Sequence, residues 1–184
     1  LNVLHLPAFL FGLALVFSSA VAAPPEKFGF KGIELGSGIA TVASNPRYEC
    51  HTARTPAADT ICSLRAQEKE TIAGGPIKSL FFFYYDGKLT GITIHLEEKH
   101  FVQVTKALRS KYGDGRVQTE LIRNLKGVTF ENQSYTWKTT SETLLAQRYS
   151  GRLDQSSIRF SADELIQRIE QRRSILDRDP SKDL

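Results

Sequence analysis

Cys50, His51 and Cys62 are the most reactive side chains of this 184-residue chain, and they lie in one short stretch. Thiols and an imidazole so placed have two chemistries open to them: a disulfide between the cysteines, or a metal site that also recruits the histidine. A metal site calls for paired spacing of the CxxC or HxxxH kind, which this stretch lacks. Adjacent residues such as Cys50 and His51 also point to opposite sides of an extended chain. The two cysteines are the only ones present, an even pair, so a Cys50–Cys62 disulfide is the expected outcome. In the chain-entropy description, closing a loop of about 13 residues stabilises the fold by roughly 3 kcal/mol.

The other polar groups make a poorer catalytic set. Gly36-Ser37-Gly38 invites a phosphate-loop or nucleophile reading, but it has no third glycine in register, no Lys-Ser/Thr partner and no Gly-x-Ser-x-Gly frame. Ser37 fits better as the cap of a short helix carrying Ile39 and Val42. No serine or carboxylate is fixed by spacing beside His95 or His100, as a general base would need. Glu97 and Glu98 adjoin at a strand end, where neighbouring side chains diverge, which argues against paired acid–base work. No catalytic residue is assigned, and no motif implies a cofactor or metal. Asn132-Gln133-Ser134 matches a glycosylation acceptor, a pattern short enough to arise by chance.

The elements that would position these groups are clearest over residues 77–96. Phe81-Phe82-Phe83-Tyr84-Tyr85 and the segment 89–96 flank Asp86-Gly87, a strong hairpin turn. A plain two-residue turn sets Phe83 opposite Thr90, Phe81 opposite Ile92 and Phe82 over Gly91. Residues 100–112 follow as a helix with Phe101, Val104, Leu108 and Tyr112 in one stripe, stopped by Gly113. Short strands are expected over 117–122, 128–130, 135–138, 144–149 and 158–160, several of them forming one meander. Ser161-Ala162-Asp163-Glu164 reads as a capping box opening a last helix with Leu165, Ile166, Ile169 and Leu176. The fold class is therefore α+β, with an antiparallel sheet of about five or six strands and helices mainly on one face. That packing buries Phe81, Phe83, Ile92, Phe101 and Leu108. It leaves Leu80, Phe82, Tyr84 and Leu89 on the other face, either exposed or covered by Leu165 and Ile169 of the last helix. Phe82, Tyr84, Leu89 and Trp137 are accordingly the candidate partner contacts, since a bare apolar patch marks an interaction surface.

Residues 1–23 carry no charged side chain and end in Ser18-Ser19-Ala20-Val21-Ala22-Ala23. Residues 1–22 read as a signal peptide with cleavage after Ala22, an uncleaved membrane anchor being the alternative. Residues 23–27 form a Pro-rich linker, and 28–184 form a single α+β domain with a C-terminal helix. A periplasmic or secreted location makes the disulfide chemically natural and sets nucleic acid aside as a partner. The formal net charge of +4 permits weak contact with an anionic membrane surface or an acidic partner, with Arg168, Arg172, Arg173 and Arg178 on the last helix as the cationic stripe. A solvated helix face explains the same stripe.

Lys31-Gly32-Ile33-Glu34-Leu35-Gly36-Ser37, leading into a short helix, resembles the opening of exported envelope domains of the BamE/SmpA type. The Phe-rich strand, Asp86-Gly87-Lys88-Leu89 and the helix ending Lys111-Tyr112-Gly113 resemble uncharacterised small exported proteobacterial proteins. These are turn and core residues, which specify a fold rather than a chemistry. The expected function is an exported, non-enzymatic binding or assembly module with a protein partner in the cell envelope. A small exported hydrolase using His95 or His51 as base, and an inhibitor of a secreted or periplasmic enzyme, are the alternatives. Oxidised protein is expected to migrate faster than reduced protein on a denaturing gel, with Cys62→Ala abolishing the difference; unchanged mobility of the native chain would remove the staple.

Overall fold

The computed structural model describes residues 27–177; the leader at 1–22, most of the linker and the residues after 177 lie outside them. The chain begins with a small hairpin, β1 (Gly29–Phe30) and β2 (Ile33–Glu34), and a short helix α1 (Ala40–Ala43). Strands β3 (Tyr48–Thr52), β4 (Thr60–Leu64), β5 (Thr71–Ile72), β6 (Gly75–Tyr85) and β7 (Lys88–Glu97) follow. A 3-10 turn at Glu98–His100 leads into α2 (Phe101–Tyr112). The remainder is β8 (Arg116–Arg123), β9 (Thr129–Lys138), β10 (Glu142–Gln147), β11 (Gln155–Ala162) and α3 (Asp163–Asp177). Strands β3 to β11 build one antiparallel sheet of 9 strands, ordered β3-β4-β6-β7-β11-β10-β9-β8, with β5 also on β6. Among the described residues no helix is long and apolar enough to cross a membrane.

The α+β class and the antiparallel sheet hold, but the sheet is larger than the five or six strands expected. The additional strands are polar ones. β3 and β4 pair Cys50 with Cys62 directly, with a Cα–Cα distance of 4.0 Å and an intact disulfide. The strand expected over 117–122 is present as β8, exposed along almost its whole length.

The β6–β7 register also differs from a plain hairpin. Tyr84 pairs with Leu89, but the next pair is Phe83 with Gly91, so Thr90 is an extra residue, a β-bulge. From there Phe82 faces Ile92 and Leu80 faces Ile94. Leu80, Phe82, Tyr84, Leu89, Ile92 and Ile94 therefore share one buried face with Leu144, Ile158 and Phe160, and Phe101, Val104 and Leu108 of α2 join the same core. Phe81 and Phe83 lie on the opposite face, half-buried. The candidate contacts Phe82, Tyr84, Leu89 and Trp137 are correspondingly inside the molecule, the first two with no measurable exposure. Trp137 lies against Gly115 and donates its indole N–H to the Gly113 carbonyl at 2.8 Å.

Two capping expectations are also replaced. Ser37 caps nothing: its backbone, with that of Gly36, bonds to Leu89, clamping the base of the hairpin turn. Ser161 belongs to β11, and α3 opens at Asp163, whose N–H donates to the Ser141 carbonyl at 2.9 Å. Helices occupy both sides of the sheet, α2 on the Phe82 face and α3 on the Phe83 face, rather than mainly one.

These positions predict opposite outcomes for adjacent hairpin substitutions. Phe82→Ala should cost about 3–5 kcal/mol in urea denaturation, as for a fully buried ring. Tyr84→Phe should instead leave stability unchanged or raise it by about 1 kcal/mol. The Tyr84 hydroxyl is buried without a partner, and removing an unsatisfied polar atom is not penalised. A tolerated Phe82→Ala would return Phe82 to the surface.

Candidate binding groove

Gly91 determines how α3 meets the sheet. A Cβ at Gly91 would stand 2.7 Å from Leu165 Cδ2, so the missing side chain is what lets Leu165 settle on the strand. Beyond that contact the helix and sheet separate, leaving a groove of about 300 Å³. Phe83, Thr93 and Arg159 form its floor, Ile166 and Ile169 its helical wall, and Glu170 its rim. It is largely apolar with a few charged groups, the usual make-up of a recognition site.

The opposite flank of α3 is cationic. Arg54, Arg168 and Arg172, with Tyr85, Thr55 and Pro56, line a second cavity of about 380 Å³ that has no acidic residue among the described residues of its lining. The Arg168 guanidinium lies 3.9 Å from the Tyr85 ring centroid. Its Nε and Nη2 atoms are buried and have no hydrogen-bond acceptor among the described residues. Stacking on tyrosine offsets part of the cost of desolvating this cation; an incoming anion would offset more. Arg168 is thereby withdrawn from the solvated stripe on which the sequence places it.

The polar motifs have other duties. Ser79 Oγ and His95 Nδ1 are 2.9 Å apart across β6 and β7, the nearest approach to a nucleophile–base pair. No carboxylate hydrogen-bonds to His95 among the described residues, and Ser157, its neighbour on β11, keeps a buried hydroxyl without a partner. His51 stands exposed on the edge strand β3. Glu97 pairs with Lys78 and Lys99, while Glu98 binds Arg148 at 2.6 Å, so the two carboxylates do not converge. With Cys50 and Cys62 joined, no group of three or more His, Cys, Asp or Glu converges as a metal site among the described residues. The Asn132 side chain is buried, donating to Glu120 and to the Tyr149 carbonyl, and cannot serve as a sugar acceptor in the folded chain.

No protein-family model, curated protein or solved structure matches this chain. Its function is therefore argued from the groove itself. Sequence reading placed Phe83 in the main core and Arg168 in solvent; the cues it lacked were the Thr90 bulge and the crossing of α3 over Tyr85.

Burial, with the positive charge of Arg159 second, holds the His95 imidazole below its ordinary pKa of 6.5. The unfolded chain therefore takes up that proton first as the solution is acidified. Stability is fully present above about pH 6.5 and declines as pH falls from there through the lower folded value. His95→Gln should remove this part of the decline in denaturant titrations run from pH 7.5 to 5; an unchanged slope would show that His95 is not its source.

Proposed function

We propose that this chain is an exported, non-enzymatic binding module whose partner is a protein segment presenting an apolar side chain beside an acidic one. Arg168 carries this reading. A guanidinium held against an aromatic ring, with Nε and Nη2 buried and without an acceptor among the described residues, is costly in the free protein and gains from an arriving carboxylate. The neighbouring apolar groove supplies a seat for a side chain next to that acid. Arginine and tyrosine are the residue types that most often dominate binding energy when they become fully desolvated. The positive net charge of the chain favours encounter with acidic partners.

The disulfide is compatible with an oxidising, exported location. An inhibitor of a secreted enzyme would use the same surface and is one case of this reading. The hydrolase alternative rests on Ser79 and His95, which have between them a hydrogen bond but no acid to orient the imidazole.

Site-specific photocrosslinking in expressing cells tests the proposal. Benzoylphenylalanine in place of Ile169 should yield a discrete adduct, and the same label in place of Lys106, exposed on α2, should not. Arg168→Gln combined with Arg172→Gln should reduce the Ile169 adduct several-fold while leaving the melting temperature near its native value. Equal labelling from both positions, or indifference to the arginines, would sink the proposal.

A further inference from the structure

The two ends of the sheet are unequal. At one end β3 is 5 residues long and stapled to its neighbour. At the other, β8 is 8 residues long and, among the described residues, pairs only with β9, in unbroken register from Arg116 to Arg123. Its outer side presents backbone N–H and C=O groups with no strand partner among the described residues. Edge strands of monomeric proteins are commonly blunted by a bulge, a proline, charged side chains or shortness. β8 has no bulge or proline and is not short; it carries Arg116, Glu120 and Arg123, but it also exposes Val117 and Leu121, the latter 73% accessible.

Val117 and Leu121 share a face with Thr119, because they pair with Tyr135, Glu131 and Gln133 in alternation along β9. Tyr135 in turn packs against Phe101, so this is the α2 side of the sheet. We infer that β8 pairs antiparallel with β8 of a second copy, about a two-fold axis that passes through Thr119 normal to the sheet. Such an axis keeps each side chain on its own face, so only residues of like parity meet on the axis. It pairs residues 116–122 of each copy and sets Val117 opposite Leu121 of the second copy, twice. Gln118 meets Glu120, and Arg116 meets Ile122, so no like charges stand directly opposed. An axis through Glu120 pairs an equally long segment but opposes two carboxylates, which is destabilising. Of the two registers that pair seven residues, the strand is thus self-complementary in one, the requirement of an isologous two-fold interface.

Cysteine trapping and sedimentation of the purified protein test this. Both native cysteines are committed to one disulfide and none is free, so a thiol introduced by Thr119→Cys has no internal partner. It should oxidise to a covalent dimer, because cross-strand Cβ atoms lie about 5 Å apart, whereas Arg123→Cys should not. In sedimentation equilibrium the native chain should be dimeric. Val117→Lys with Leu121→Lys should weaken the dimer by more than about tenfold in Kd, and Val117→Glu with Leu121→Lys should restore it by opposing unlike charges. A native chain that stays monomeric overturns the inference. So does a dimer that Thr119→Cys fails to trap, or one that responds alike to both double substitutions.

Discussion

Thr90 is one residue more than the β6–β7 hairpin needs, and the rest of the molecule depends on it. Asp86 and Gly87 both have positive φ, 50° and 68°, the geometry of a tight two-residue turn. Carried on without interruption, that turn would put Gly91 opposite Phe82 and send Ile92 to the other side. The bulge advances the register by one, and one residue of slip exchanges the faces of a whole strand. Phe82 then meets Ile92, and the apolar face runs unbroken from β6 through β7 and β11 to β10. The bulge is held by the Thr90 hydroxyl, which donates to the Phe83 carbonyl at 3.1 Å, and by the Gly36–Ser37 clamp on Leu89. Gly91 is delivered to the opposite face by the same shift, where Leu165 uses the vacancy. Core and groove are therefore consequences of one irregularity.

Two charged side chains show the contrast between an ion with countercharges and one without an acceptor for two of its nitrogens among the described residues. Glu70 is nearly buried. Burial pushes its carboxyl up, but Lys31, the Thr71 amide and Arg47 together hold it below the ordinary carboxylate range. Arg47 also binds Glu68 at 3.0 Å, so the cluster ties the β1–β2 hairpin to the segment ahead of β5. Every charge in it has a countercharge. Arg168 has no such arrangement: a ring beneath it, other cations beside it, and no acceptor for Nε or Nη2 among the described residues. A buried charge without a partner is a liability to folding, and stacking on Tyr85 offsets only part of that cost.

Local signals in the sequence carried much of the architecture. Asp86-Gly87 marked the hairpin, and the stripe Phe101, Val104, Leu108, Tyr112 marked α2 to within a residue of Phe101–Tyr112. The parity of the cysteines marked the staple. Each of these depends on chemistry within a few positions. The Thr90 bulge does not, because it follows from the demand that Ile92 and Ile94 meet the strands of β11 and β10, far along the chain. Phe81, Phe82 and Phe83 are chemically alike, so nothing in their order says which of them faces inward. The strands β3 and β4 stood out less for a related reason: a sheet edge needs backbone partners more than an apolar face. Arg168 was legible only as one of several arginines, since its neighbour Tyr85 lies far from it in sequence and meets it only after α3 folds over the sheet.

The groove and the open edge lie well apart along the sheet, and their separation has a consequence. β9 and β10 intervene between β8 and the β11 strand that floors the groove. A two-fold axis normal to the sheet leaves both α3 helices on the same side of the joined sheets. With strands about 4.8 Å apart, the β11 strands of the two copies would stand roughly 30–35 Å from each other. The spacing is set by continuous β-ladder rather than by a flexible linker, so two grooves would lie on one face of the joined sheet at a fixed distance and at an angle set by its twist. A partner that repeats its acidic, apolar segment at that interval gains from the second contact at high effective concentration, without any new chemistry at either groove. A partner with a single segment would gain nothing from pairing, so the proposed pairing would act on affinity only through the geometry of what is bound.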